Sequence, residues 1–177
     1  MDTKEITNNE QAWEFIHRSL ISQGEKSITG PGLAGACRYR YSDDDESDAL
    51  KCAAGWLIND NEYEPEIEGM KSTDEEVMNI IMESHPNWGM DNSSEFIINL
   101  AQKIHDDMPV EDWDIAFNGF GSILFEGLEL IDESEKDFIV AYDKESLHRL
   151  WFSDPPLEQF VAVIKSIVRT SKRHMEG

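Results

Sequence analysis

The stretch Cys37–Gly69, CRYRYSDDDESDALKCAAGWLINDNEYEPEIEG, changes character twice along its length. It opens on Arg38-Tyr39-Arg40-Tyr41, where charged and aromatic side chains alternate with the period of a half-exposed strand. The acidic loop 42–48 then leads to Lys51-Cys52-Ala53-Ala54-Gly55, whose small residues allow another segment to approach closely. The pattern predicts a small antiparallel β-hairpin near residues 36–53, with the acidic loop at its tip.

Helical periodicity dominates on both sides of this stretch. Thr7 and Glu10 have the spacing of a capping box, and Gly24 is a natural stop for the amphipathic helix that follows. Five more segments have helical signals: Asp74 to about Ser84, the stretch from Asn92, Val110–Leu130, Lys144–Phe152, and the stretch after Pro155. Phe138–Tyr142 is a strand candidate. The predicted fold class is therefore α+β, mainly helical, with the small antiparallel sheet near 36–53.

Length and composition favour one domain over residues 1–177. The chain is 40% apolar, with five Trp and eight Phe, which is enough for an ordinary core. No apolar run approaches the roughly 18 residues of a membrane span, and the N-terminus is polar. A soluble, cytoplasmic protein without membrane contact is expected. Its two cysteines are then reduced thiols, although a bridge between Cys37 and Cys52 stays open.

The net charge of −22 is far from that of an ordinary domain. Residues 160–177 hold four basic side chains against one acid, in a basic C-terminal helix predicted at about 155–173. The other 159 residues therefore carry −25. A field of this sign repels nucleic acid and anionic membranes, so direct binding to DNA or RNA is disfavoured. The expected partner is a protein with a basic or nucleic-acid-binding surface.

Cysteine chemistry offers a rival function. Cys52 could act as a nucleophile with His105 as its base, but no cysteine-enzyme signature accompanies the pair. A small buried thiol beside Ala53 and Ala54 is the simpler interpretation of Cys52. No metal-ligand spacing is present, and the alternating acids after Asp60 lack the glycine of a calcium loop. The sequence predicts neither a metal site nor a cofactor.

Two acidic clusters are the candidate binding residues. Duplex DNA carries about one charge per 1.7 Å, so a 30 Å footprint holds on the order of 18 charges. The acids of this chain reach that magnitude if they share one face, which makes nucleic-acid mimicry one route to binding. The predicted binding residues are Asp43, Asp44, Asp45, Glu46 and Asp48 in the first cluster, and Asp60, Glu62, Glu64, Glu66 and Glu68 in the second.

The same stretch also carries a family resemblance. Four segments of the chain form an ordered pattern. They are Gln23-Gly24, Cys37-x-Tyr39-Arg40, the segment Lys51-Cys52-Ala53-x-Gly55-x-Leu57-Ile58-x-Asp60-x-x-Tyr63 with Glu68-Gly69 after it, and Gln102-x-Ile104-His105-Asp106. With this pattern the chain resembles a family of small, uncharacterised phage and prophage proteins, over roughly residues 10–125. The resemblance implies a phage setting, and hence the cytoplasm of a host cell, without implying a mechanism.

These observations favour a phage-derived acidic protein that binds and inhibits or modulates a host defence or nucleic-acid-handling protein. Two alternatives remain: a cysteine-dependent enzyme centred on Cys52 and His105, and an accessory protein whose acidic surface merely keeps it soluble.

Overall fold

The computed structural model describes residues 5–27, 38–40, 50–127, 130–135, 138–152 and 162–170. The chain divides into two compact units, Met1–Asp106 and Asp107–Gly177. Helices make up most of the described residues. In that part of the chain no helix is long and apolar enough to cross a membrane.

The described part of the first unit is built from helices joined by short turns. Its elements are α1 (Asn9–Gln23), the 3₁₀ helices Gly55–Leu57 and Pro65–Ile67, α2 (Glu75–Ser84) and α3 (Asn92–Asp107). The first 3₁₀ helix contacts α1. Large apolar side chains from all of these elements are buried, among them Trp13, Ile16, Leu20, Leu57, Ile67, Ile81, Phe96 and Ile98.

The ends of α1 follow from local signals in the sequence. Gly24 ends the helix as predicted, in the left-handed conformation at φ 67°, and its N–H donates to the carbonyl of Leu20. The start lies one residue later than the capping box predicts. Asn8 is the N-cap, and its side chain accepts from the N–H of Gln11 at 2.9 Å. Asparagine is at least as good an N-cap as threonine, so the register shifts without loss.

The second unit holds the only strand pair among the described residues. Its elements are the 3₁₀ helix Val110–Asp112, α4 (Trp113–Leu124), β1 (Leu130–Glu135), β2 (Phe138–Tyr142) and α5 (Lys144–Phe152); residues 162–170 are helical as well. The strands are antiparallel, with Leu130 opposite Tyr142. The helix predicted over Val110–Leu130 stops early, because Gly127 turns the chain at φ 70° before β1.

The predicted α+β fold with a hairpin near 36–53 is wrong. Residues 38–40 and 50–53, the described part of that stretch, contain no strand, and Leu50 forms only an isolated bridge. The small residues after Cys52 instead allow two backbone segments to cross at close range. A Cβ added to Gly55 would lie 2.2 Å from the carbonyl oxygen of Tyr39, so the two backbones touch there. The chain then enters a 3₁₀ helix rather than extending as a strand.

Candidate functional site

Glu68 fixes the polypeptide that precedes the acidic loop. Its half-buried carboxylate accepts the N–H of Tyr39 at 3.1 Å, the N–H of Arg40 at 2.9 Å and the hydroxyl of Tyr63 at 2.8 Å. Burial, together with this hydrogen bond to a carboxylate, raises the pKa of Tyr63 to about 12. Glu68 was predicted to bind a partner, and in the structure its carboxylate accepts hydrogen bonds from the backbone of Tyr39 and Arg40.

Gln23 holds the segment that follows the acidic loop in place through hydrogen bonds of its side-chain amide. Its side-chain oxygen accepts the N–H of Lys51 at 2.9 Å and the indole N–H of Trp56 at 3.2 Å. Its amide nitrogen donates to the carbonyls of Glu25 and Lys51, at 2.7 and 3.0 Å. Gln23 is the last residue of α1, so the helix end positions the amide against the 51–56 segment.

Between these two anchors lies a compact group of charges. Asp60 Oδ1 accepts from Arg40 Nη2 at 2.5 Å and from Lys51 Nζ at 3.0 Å. The Arg40 guanidinium lies 4.3 Å from the Tyr63 ring centroid, and Lys51 Nζ lies 5.3 Å from that of Trp56. The hydrogen bond from Lys51 is the main reason why the pKa of Asp60 lies below its usual value. This arrangement could bind an anion.

His105 belongs to a separate buried network in the same unit. Its Nε2 accepts the N–H of Ser27 at 3.4 Å, so Nδ1 carries the proton that reaches Asp106 Oδ1 at 2.8 Å. The same carboxylate oxygen accepts from the Gln102 amide at 2.9 Å, while Gln102 Oε1 accepts the N–H of Ala54 at 3.2 Å. The network thus joins the end of α3 to two other segments, to Ser27 through His105 and to Ala54 through Gln102.

Cys52 is a free thiol, and it is buried with 1% of its surface exposed. Its sulfur accepts the N–H of Gly55 at 3.4 Å. Both ring nitrogens of His105 already have other partners, so in this conformation the imidazole has no nitrogen to offer the thiol as a base. The geometry lends no support to the enzyme alternative. Cys37, and with it the expected proximity of the two cysteines, lies outside the described residues.

The predicted acidic binding residues fall into three groups. The loop acids Asp43, Asp44, Asp45, Glu46 and Asp48 lie outside the described residues. Asp60 and Glu68 are engaged within the unit. Glu64 and Glu66 are exposed and Glu62 is half-buried, and none of these three forms an ion pair with another described residue.

A further acidic surface, missed by the sequence reasoning, lies on α2. Glu75, Glu76 and Glu83 are exposed, whereas Val77, Ile80 and Ile81 are buried. The last turn of α2 carries no basic residue, and Met82 beside Glu83 is 42% exposed. The signal was present in the sequence, because the apolar period of α2 already assigns these three glutamates to its outer face.

No group of three or more His, Cys, Asp or Glu side chains in the described ranges is arranged to hold a metal ion. Nothing matches the chain in the three comparisons made: no protein-family model, no curated protein sequence and no solved structure.

Proposed function

We propose that this protein binds a basic or nucleic-acid-handling protein of a host cell through its acidic surface, and thereby inhibits or modulates that protein. The phage setting and the host cytoplasm come from the family resemblance of the sequence. The acidic surface comes from the charge of −22 and from exposed carboxylates that have no ion-pair partner among the described residues. Nucleic-acid mimicry is the route we favour, because the partner would then offer a surface already shaped for phosphates.

The observation that carries the proposal is Glu83 in the last turn of α2. A helix carries partial negative charge at its C-terminus, so an acid there destabilises the helix by a few tenths of a kcal/mol. Glu75 and Glu76, in the first turn, have the opposite effect and stabilise it. Helix stability therefore accounts for two of the three glutamates and leaves Glu83, next to the exposed Met82, for another role.

Affinity capture from host lysate at low and high salt would identify the partner, and binding kinetics would then test the surface. The test variant carries Glu75→Gln, Glu76→Gln and Glu83→Gln. The control carries Glu10→Gln, Glu14→Gln and Glu25→Gln, which remove the same charge from exposed acids in and after α1. We expect the α2 variant to associate with the partner roughly tenfold more slowly and the control to change much less.

Equal slowing of both variants would mean that net charge alone governs the encounter. A rate that neither variant changes, and that salt leaves unchanged too, would contradict the proposal. The acidic surface would then serve only to keep the protein in solution.

A further inference from the structure

Two cations of the first unit share a single carboxylate oxygen. Arg40 Nη2 and Lys51 Nζ lie 2.5 and 3.0 Å from Asp60 Oδ1. Among the described residues, one ion-paired carboxylate thus stands against two cations, and the second carboxylate nearby, that of Glu68, accepts from the backbone N–H of Arg40. The chain as a whole holds 37 acids and 15 bases. Such a concentration of positive charge is unexpected in this composition and requires an explanation.

The two cations are held in place independently of Asp60. Their side chains are only 19% and 17% exposed, and each lies over an aromatic ring, Tyr63 for Arg40 and Trp56 for Lys51. Their backbones are fixed by Glu68 and Gln23, as described above. The cationic heads are therefore preorganised, which lowers the entropic cost of binding an anion.

Asp60 is far more exposed than its two partners. Its side chain is 76% exposed, and Oδ2 makes no hydrogen bond with another described residue. Ion pairs with so exposed a carboxylate contribute little to stability, because water screens the attraction between the charges. An external anion could therefore replace Asp60 at low cost while both cations stay where they are.

We propose that Arg40 and Lys51 form a binding site for a small oxyanion, and that the Asp60 carboxylate occupies this site when no ligand is bound. Arg40 pairs with Asp60 through Nη2 and a single carboxylate oxygen. A guanidinium pairs best through two parallel N–H groups, so a ligand with two or more oxygens could form a second bond that Asp60 does not form. Lys51 adds a point charge. Carboxylates and phosphates share this chemistry, and the site is independent of the proposed acidic surface.

Asp60→Asn tests the site by removing its internal occupant. Inorganic phosphate and acetate are titrated against wild type and Asp60→Asn, with sodium chloride of matched ionic strength as the reference for screening. Thermal midpoints and NMR shifts of the Lys51 side chain report binding. We expect the variant to bind phosphate roughly tenfold more tightly than wild type, because the Asp60 carboxylate no longer competes with phosphate for Arg40 and Lys51. Acetate run in parallel distinguishes a planar carboxylate from a tetrahedral ligand.

The double variants Asp60→Asn/Arg40→Gln and Asp60→Asn/Lys51→Gln should lose this response. The second keeps the test valid if loss of Arg40 prevents folding. Glu64→Gln removes one charge from an exposed residue that forms no ion pair with either cation, and it should bind phosphate as wild type does. Two results would contradict the site. Asp60→Asn could respond to phosphate and acetate no more than to matched chloride, or the double variant Asp60→Asn/Lys51→Gln could respond as strongly as Asp60→Asn alone.

Discussion

Gly55 illustrates how a single residue can fix the path of this chain. A Cβ at this position would meet the Tyr39 carbonyl oxygen, carbon and Cα at 2.2, 2.9 and 3.0 Å. All three atoms are backbone, so no side chain can swing aside. We expect Gly55→Ala to destabilise the fold by about 3 kcal/mol or more, measured by urea unfolding. Gly89→Ala is the control, since a Cβ there meets nothing within 4 Å. Similar unfolding curves for both variants would contradict the close crossing.

His85 makes the stability of the first unit depend on pH. It is buried, and burial lowers the pKa of its imidazole, although a hydrogen bond with the Leu57 backbone opposes the shift. Above about pH 6.5, the usual value for histidine, both folded and unfolded states are neutral there and its contribution is complete. As the pH falls below that value, the unfolded state takes up the proton first and stability is lost until the folded-state pKa is reached.

His85→Asn should remove this component of the pH dependence, which sets in as the pH falls below about 6.5. The measurement is the free energy of unfolding against pH, with His17→Asn on the half-exposed side of α1 as the control. A slope that survives His85→Asn would contradict this assignment.

Cys52 separates the enzyme alternative from a packing role. We expect Cys52→Ser to retain the partner binding proposed above and to lose about 1–3 kcal/mol of stability, because a hydroxyl replaces a thiol in a buried site. Circular dichroism establishes that the variant is folded, and binding kinetics establish its function. A folded variant without function would restore Cys52 as a nucleophile.

At the scale of the element, Glu83 of α2 is expected to have opposite effects on helix stability and on binding. Glu83→Gln removes an acid from the negative end of the helix, so the free energy of unfolding should rise by about 0.3–1 kcal/mol. Association with the partner should slow at the same time. Glu75→Gln, at the other end of α2, should slow association but lower stability. Opposite signs of the two stability changes identify the helix dipole as the cause, and equal signs would contradict it.

At the scale of the whole molecule, the acidic charge predicts a strong dependence of binding on salt. The Debye length shrinks from about 10 Å at 0.1 M to about 3 Å at 1 M, so the association rate with a basic partner should fall steeply over this range. Neutralising the acidic loop, with Asp43, Asp44 and Asp45 changed to Asn and Glu46 to Gln, should also slow association while leaving the unfolding midpoint nearly unchanged.

Stopped-flow kinetics on wild type and the neutralised loop variant, at several salt concentrations, measure both effects. The variant should also show a shallower salt dependence than wild type, because fewer charges steer the encounter. A rate indifferent to both salt and neutralisation would leave nucleic-acid mimicry without support.

Local patterns in the sequence determined the helices of the described part. The apolar period over α1, α2 and α3, with Gly24 as a stop, needs only neighbours within a few residues, which is why these elements were predictable. The same period places the glutamates of α2 on its outer face. Net charge and the acidic clusters also follow from composition alone.

Tertiary structure decided what the stretch Cys37–Gly69 does. Alternation of Arg38 to Tyr41 predicted a strand, but the small residues after Cys52 serve a backbone crossing at Gly55, which no local pattern specifies. Glu68 resembles its acidic neighbours in sequence, yet it accepts hydrogen bonds from residues 28 and 29 positions away. Whether a carboxylate faces solvent or a buried N–H depends on which segments meet in space, and that is a property of the folded chain alone.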